Sequence, residues 1–239
     1  MNLASQSTMS TSTKATITCI SYSGDSEVGR YSKGIDLKIP ESVKPAVSLK
    51  VSDAENVANK YGDYVKGKSK LKVLTTITNQ YGASTNRFYV EVDGQTYNKT
   101  EFTTDYLKNA GDLTIKASVA DGRGREGFAS VTKKVLDYNT PMIKSIDASR
   151  CNANGENNSS GKYIRVDFSA EVTPLNNKNT ATYSVLYLET GTTTWTTVPL
   201  NEYTGQYNVY KGKYIFEAEP SKSYAIKIQV SDDFATTEQ

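Results

Sequence analysis

TIKASVADG, residues 114–122, sets Ile115, Ala117 and Val119 between polar neighbours and then halts at Asp-Gly. Apolar residues at every second position describe a half-buried strand, and Asp-Gly provides the tight reversal that follows one. The same line occurs twice more. TITCISYSG (16–24) stands 98 positions earlier, Thr16 against Thr114, and AIKIQVSDD (225–233) stands 111 later, Thr114 against Ala225. A repeat of domain size governs how every shorter motif is read.

Domain openings recur as well. KPAVSLKVSDA (44–54) and TPMIKSIDASR (140–150) each place a proline, Pro45 or Pro141, ahead of an alternating strand, a step of 96 residues. Interior strands correspond in the same way: SKLKVLTTIT (69–78) with KYIRVDFSAEVT (162–173), and NRFYVEVDGQTY (86–97) with ATYSVLYLETGTTTW (181–195). Short alternating strands separated by Gly, Asn and Asp turns, in units of about 100 residues, describe immunoglobulin-like sandwiches. The chain is therefore expected to be all-β, with tandem immunoglobulin-like β-sandwiches at 44–140 and 141–239. Prolines in PESVKP (40–45) and YNTPM (138–142) stop strands and make short, stiff joints, which predicts a rod-like tandem array.

Neither end reads as a whole module. Residues 1–43 hold one hairpin, ATITCISYS followed by VGRYSKGIDLKIP, the counterpart of a module's last two strands. In 141–239 only five residues follow VSDDF (230–234), so that module is expected to lack its last strand. Two explanations compete: a piece of a longer array, or strands shared between subunits by edge pairing. The first is preferred, because a bare sheet edge invites aggregation.

Composition narrows the chemistry. The 239 residues are 37% hydrophobic and 23% charged, enough for real cores. Lysine and arginine number 28 against 26 acidic residues, so a net charge of +2 gives no pull toward nucleic acid or an anionic membrane. Histidine is absent, which removes the commonest general base and zinc ligand. Seventeen tyrosines against six phenylalanines belong to a vocabulary of strands and turns. Cys19 and Cys151 stand too far apart for a short-range disulfide framework and are expected to be buried thiols. No stretch reaches the roughly 18 apolar residues of a membrane span, and MNLASQSTMSTSTK lacks the apolar centre of a signal peptide.

Two segments match nucleotide-binding patterns. GDYVKGKS (62–69) fits the phosphate-loop spacing, but such a loop leaves a strand and opens a helix. Here Leu71, Val73 and Thr75 downstream alternate as a strand does. GRGREG (122–127) fits the dinucleotide spacing and follows a strand, with Asp147 at a suitable distance and Phe128, Val131 and Val135 at helical spacing. The repeat argues for a hairpin turn instead, with glycine supplying a positive φ. No nucleotide and no cofactor is expected.

Asp232 with Asp233, and Asp53 with Glu55, carry oxygens suited to calcium, but no calcium-loop spacing surrounds them, so solvated turn carboxylates are expected. A Lys–Asn isopeptide bond would need a buried acid beside the pair. The richest surface segment is WTTVPLNEYTGQYNVYKGKY (195–214). Trp195, Tyr203, Tyr207 and Tyr210 could present flat faces and polar edges to a sugar ring. The competing and preferred expectation places Trp195 inside the sandwich, with alternate tyrosines lining its strands.

The chain resembles the minor structural, fibre-like tail proteins of siphoviruses and related prophages. The similarity rests on KPAVSLKVSDA, NKYGDYVKGKSKLKV, ASVADGRGR, SRCNANGENNSSGKYIRVDFSAEVTPLNNKNTATYSVLYLE and VSDDFATTEQ, and covers about 44–239. The resemblance implies a virion tail component at the host-contacting end, without catalysis and without defined binding residues. Its implied partners are other tail proteins and bacterial cell-wall carbohydrate, with no nucleic acid and no membrane, in a homo-oligomer such as the trimers of fibres. A bacterial surface adhesin or pilus-like array would share the architecture.

Overall fold

The computed structural model describes residues 3–198 and 202–239. Its elements run α1 (Leu3–Gln6), β1 (Ser12–Ser23), β2 (Ser26–Lys38), β3 (Ala46–Asp53), α2 (Val57–Tyr61), β4 (Tyr64–Val65), β5 (Lys70–Thr78), β6 (Thr85–Val92), β7 (Gln95–Tyr97), β8 (Glu101–Tyr106), β9 (Gly111–Asp121) and β10 (Glu126–Leu136). They continue as β11 (Met142–Cys151), β12 (Tyr163–Glu171), β13 (Thr182–Glu189), β14 (Thr196–Val198), β15 (Glu202–Thr204), β16 (Asn208–Glu217), β17 (Tyr224–Ser231) and β18 (Thr236–Glu238). The protein is all-β, built of immunoglobulin-like sandwiches. Two compact units divide the chain: Met1–Asn56 with Lys66–Val135, and Val57–Val65 with Leu136–Gln239.

In the first unit a sheet ordered β3-β5-β8 faces another that runs β10-β9-β6-β7. The alternation read from the sequence sets the inner faces. Leu71 and Val73 of β5, Val90 of β6, and Ile115, Ala117 and Val119 of β9 are all 1% exposed or less. After GDYVKGKS the chain enters β5, as the alternation requires. Gly67 donates its amide to Leu107 O at 2.8 Å, and Ser69 donates to Asp53 Oδ2 at 3.0 Å, so this loop ties strands together.

The second unit repeats the plan, with β11-β12-β16-β15 against β14-β13-β17-β18. Val166, Phe168, Tyr214, Ile228 and Val230 fill the space between its sheets. The three residues Thr236–Glu238, in the place where no last strand was expected, pair with Gln229–Ser231 at the edge of β17.

The N-terminal hairpin β1–β2 makes a two-stranded sheet of its own. Ile17 pairs with Lys33, Cys19 with Tyr31 and Ser21 with Gly29. Adding 98 to each number gives Ile115–Val131, Ala117–Ala129 and Val119–Gly127, which are the pairs of β9–β10. The repeat thus extends to hydrogen-bond register. Burial does not follow it. Cys151 is buried as expected, but Cys19 is exposed, because among the described residues no second sheet covers this hairpin.

Candidate functional site: the terminal hairpin turns

The turn after β9 is the DGRGREG segment. Asp121 Oδ1 accepts the amides of Arg123 (2.9 Å) and Arg125 (3.0 Å), and Gly124 takes φ +78°. An aspartate closing its own turn and a glycine in the left-handed region together reverse the chain. Phe128 and Val131 lie on strand β10, not on a helix.

The turn then does something composition did not announce: Arg123 is buried. Its Nη1 lies 3.2 Å from Asp121 Oδ2, with both side chains 0% exposed. Nε donates to Ser7 O (2.8 Å), Nη2 to Ala4 O (2.7 Å) and Nη1 to Gln80 O (3.2 Å). The planar guanidinium directs its donors in fixed directions, so one side chain ties together the carbonyls of Ala4, Ser7 and Gln80. Arg125 grips the far end of the hairpin, donating Nη2 to Ile39 O (2.6 Å) and Nη1 to Pro40 O. Residues 4–7 and 39–40 flank β1–β2 in sequence, so this turn clamps both feet of the hairpin.

The corresponding turn of the second unit follows β17. It is one residue shorter: Asp232 N bonds to Ala235 O, where Asp121 N bonds to Arg125 O. Asp232 Oδ1 again closes it, accepting Phe234 N and Ala235 N at 2.8 Å. Asn179 and Tyr138 add bonds to the same carboxylate, at 3.2 and 3.3 Å. Next to it, Asp233 accepts Tyr61 OH (2.6 Å), Thr180 N (3.0 Å) and Lys60 Nζ (2.7 Å). Phe234 packs against the rings of Tyr61 and Tyr138, 5.5 and 5.2 Å between centroids. Here too a terminal turn holds a distant segment, 57–61.

These carboxylates serve the turns. Burial would raise the Asp233 acid, but Lys60, Tyr61 and the Thr180 amide outweigh it and lower it to about 2. Burial first, then the neighbouring aspartates, pushes the Tyr61 and Tyr138 hydroxyls far up. All three groups keep one protonation state near neutrality, which suits a cluster that holds segment 57–61 in place. Among the described residues no three His, Cys, Asp or Glu side chains are grouped to hold a metal. Asp53, the other calcium candidate, accepts Glu55 N (3.1 Å) and Ser69 Oγ, while Glu55 pairs with Lys70 (3.0 Å).

The whole chain, residues 1–239, matches the family described as siphovirus protein of unknown function (DUF859). The chain belongs to this family. No curated protein matches it. Among solved structures, consecutive domains of titin are similar at a TM-score of 0.41 and 12% identity, over 87% of this chain and 67% of that one. Fibronectin(III)-like modules of CbhA from Clostridium thermocellum are similar at 0.30 and 16%, over 80% and 90%.

In this siphovirus protein the aromatic candidates lie in different settings. Trp195 is 37% exposed, and the Lys227 ammonium sits 4.7 Å from its ring centroid, so it does not fill the sandwich interior. Tyr203, on β15, is 39% exposed and packs on Tyr183 at 5.3 Å. Tyr207 is half-buried and donates its hydroxyl to Asn179 O at 2.9 Å. Tyr210 lies on β16, but its side chain is outside the described residues. Tyr203 and Tyr207 are brought together around Tyr183, whose hydroxyl burial and these two neighbours push up to about 12.

Sequence reasoning missed a groove on the outer face of β11, β12 and β16. Ser145, Asp147, Asp167, Lys211 and Lys213 line about 390 Å³ there. Asp147 and Asp167 are direct cross-strand neighbours, with Lys213 next in the row. Like charges placed opposite each other are unfavourable, and Arg165 Nε relieves the pair by donating to Asp167 at 2.7 Å. Only the strand pairing reveals that row.

Proposed function

We propose that this siphovirus protein is a non-enzymatic structural component of the virion tail, in which tandem sandwiches act as a spacer toward the host surface. Full-length membership of a siphovirus family carries the reading. The chemistry of the chain supports it. Histidine is absent, and the buried charged groups Asp121 and Arg123 are engaged in holding the chain together. Weak contact with cell-wall carbohydrate through Trp195, Tyr203, Tyr207 and Tyr210 fits the exposed rings of Trp195 and Tyr203 beside polar groups, with strength gained from several copies in a homo-oligomer.

Two measurements test this. Peptides of the chain should be found in purified particles, with antibody label on the tail in electron micrographs. Label on the head, or no peptides in particles, would refute the tail assignment. On an array of cell-wall glycans the protein should bind weakly, and Trp195→Ala should reduce that binding. An unbound array would leave a spacer alone.

A further inference from the structure

The groove over β11, β12 and β16 sits where two β-bulges meet the same residue. Ile143 pairs with Ala170 and Ser145 with Ser169, so Lys144 is an extra residue in β11. Across β12, Phe168 pairs with Gly212 and Ala170 with Val209, so Tyr210 and Lys211 together stand opposite Ser169. Bulges bend the strand that carries them and re-aim its side chains, and here both neighbours of β12 are bent beside Ser169. The space of about 390 Å³ opens along this line.

Its two walls carry opposite charge. Asp147 and Asp167 are cross-strand neighbours on one side, and Lys211 and Lys213 stand two positions apart on β16 at the other. In the next row Ser145 and Ser169 share a hydrogen bond at 2.6 Å and bring hydroxyls beside the carboxylates.

The walls do not neutralise each other. Asp167 is engaged by Arg165, but neither the exposed Asp147 carboxylate nor the exposed Lys211 ammonium has an ion pair or hydrogen bond among the described residues. Other charges on this unit are paired: Lys144 with Glu171, Lys222 with Glu189 and Lys227 with Glu238. Lys144, the residue inserted by the β11 bulge, therefore turns to Glu171 and takes no part in lining the groove.

A ligand with a single sign of charge would meet its like on one of these walls. A ligand that carries both signs satisfies the two together. We propose that the groove binds a zwitterionic group, with a protonated amine toward Asp147 and a phosphate or carboxylate toward Lys211, the two charges separated by about one strand spacing, ~5 Å. Arg165 donates to Gly155 O as well as to Asp167, which fixes the acidic wall before any ligand arrives. The site stands apart from the aromatic residues of the carbohydrate reading and does not depend on where in the particle the chain resides.

Calorimetric titration of the full chain at low salt with O-phosphoethanolamine, ethanolamine and methyl phosphate tests this. The zwitterion should bind about tenfold more tightly than either half-ligand, and high salt should weaken it. Asp147→Asn and Lys211→Met should each reduce that affinity about tenfold with the melting temperature unchanged, since both side chains are exposed and unpaired. Lys144→Met should leave binding as it is. A series of ω-aminoalkyl phosphates of increasing length should show one preferred separation of charges. Phosphatidylethanolamine vesicles and a soluble glycan bearing amino and phosphate groups, each assayed against Asp147→Asn, distinguish a lipid headgroup from a glycan as the source of the group. Equal binding of either half-ligand, affinity indifferent to both substitutions, or no saturable binding of any member of the series would overturn the proposal.

Discussion

Arg123 and Asp121 form an ion pair at 3.2 Å in which neither side chain reaches solvent. Removing the cation would strand a buried carboxylate and leave the carbonyls of Ala4, Ser7 and Gln80 short of a donor. Breaking one side of such a pair costs about 3–5 kcal/mol, far more than loss of an exposed bridge. Arg123→Met should therefore lower stability by that order in urea titrations, and proteolysis should begin near residues 4–11. Arg30→Met, at an exposed Glu27 pair, should change stability by less than about 1 kcal/mol.

A second prediction concerns volume. A Cβ on Gly212 would run into the ring of Phe168, which crosses over this glycine inside the second sandwich and packs 5.7 Å from Tyr214. The ring cannot swing away without displacing Tyr183, at 6.1 Å. Overpacking of this kind costs about 1–3 kcal/mol. Gly212→Ala should lower the melting temperature measurably, and Gly34→Ala, where a Cβ meets no atom within 4 Å, should not.

What the sequence made legible follows from range. The alternation in TIKASVADG and KLKVLTTIT is a local consequence of a pleated strand with one buried face, so β9 and β5 could be read directly. The 98-residue offset likewise carried over to the pairing register that β1–β2 shares with β9–β10. Arg123 could not be read in this way. An arginine within a glycine-rich turn looks solvated, and its burial depends on acceptors 43 to 119 positions away. Cys19 fails for the converse reason: its pattern is that of a buried residue, but burial needs a partner layer that local sequence does not contain. The place of Trp195 was equally hidden, since an aromatic beside a short edge strand can face either way.

Trp195 itself yields a third prediction. Its ring is partly exposed and contacts the Lys227 ammonium, an arrangement worth about 0.5–1 kcal/mol at a surface. Trp195→Ala should cost little more than this in thermal denaturation. Tyr214→Ala should cost about 3–5 kcal/mol, because that ring is 1% exposed and its hydroxyl donates to Tyr183 O at 2.8 Å. The contrast makes Trp195→Ala a usable probe of binding, with the fold left in place.

Asp233 predicts how the second unit responds to acid. Its partners lower the carboxyl from 3.8 to about 2, so the folded state holds the ionised form more tightly than the unfolded chain does. A depressed acid contributes stability above its unfolded value, and that contribution drains away as pH falls from about 4 to about 2. The shift corresponds to about 1–2 kcal/mol once the exposure of Lys60, at 49%, is discounted. Asp233→Asn should be less stable than the natural chain at pH 7 by that amount. The two should converge as pH approaches 2, because protonation then removes from the natural protein what the substitution has already removed. Urea midpoints measured at pH 7, 4 and 2 would check this, and a gap that stays constant across the series would show that the Asp233 charge contributes nothing to holding residues 60 and 61.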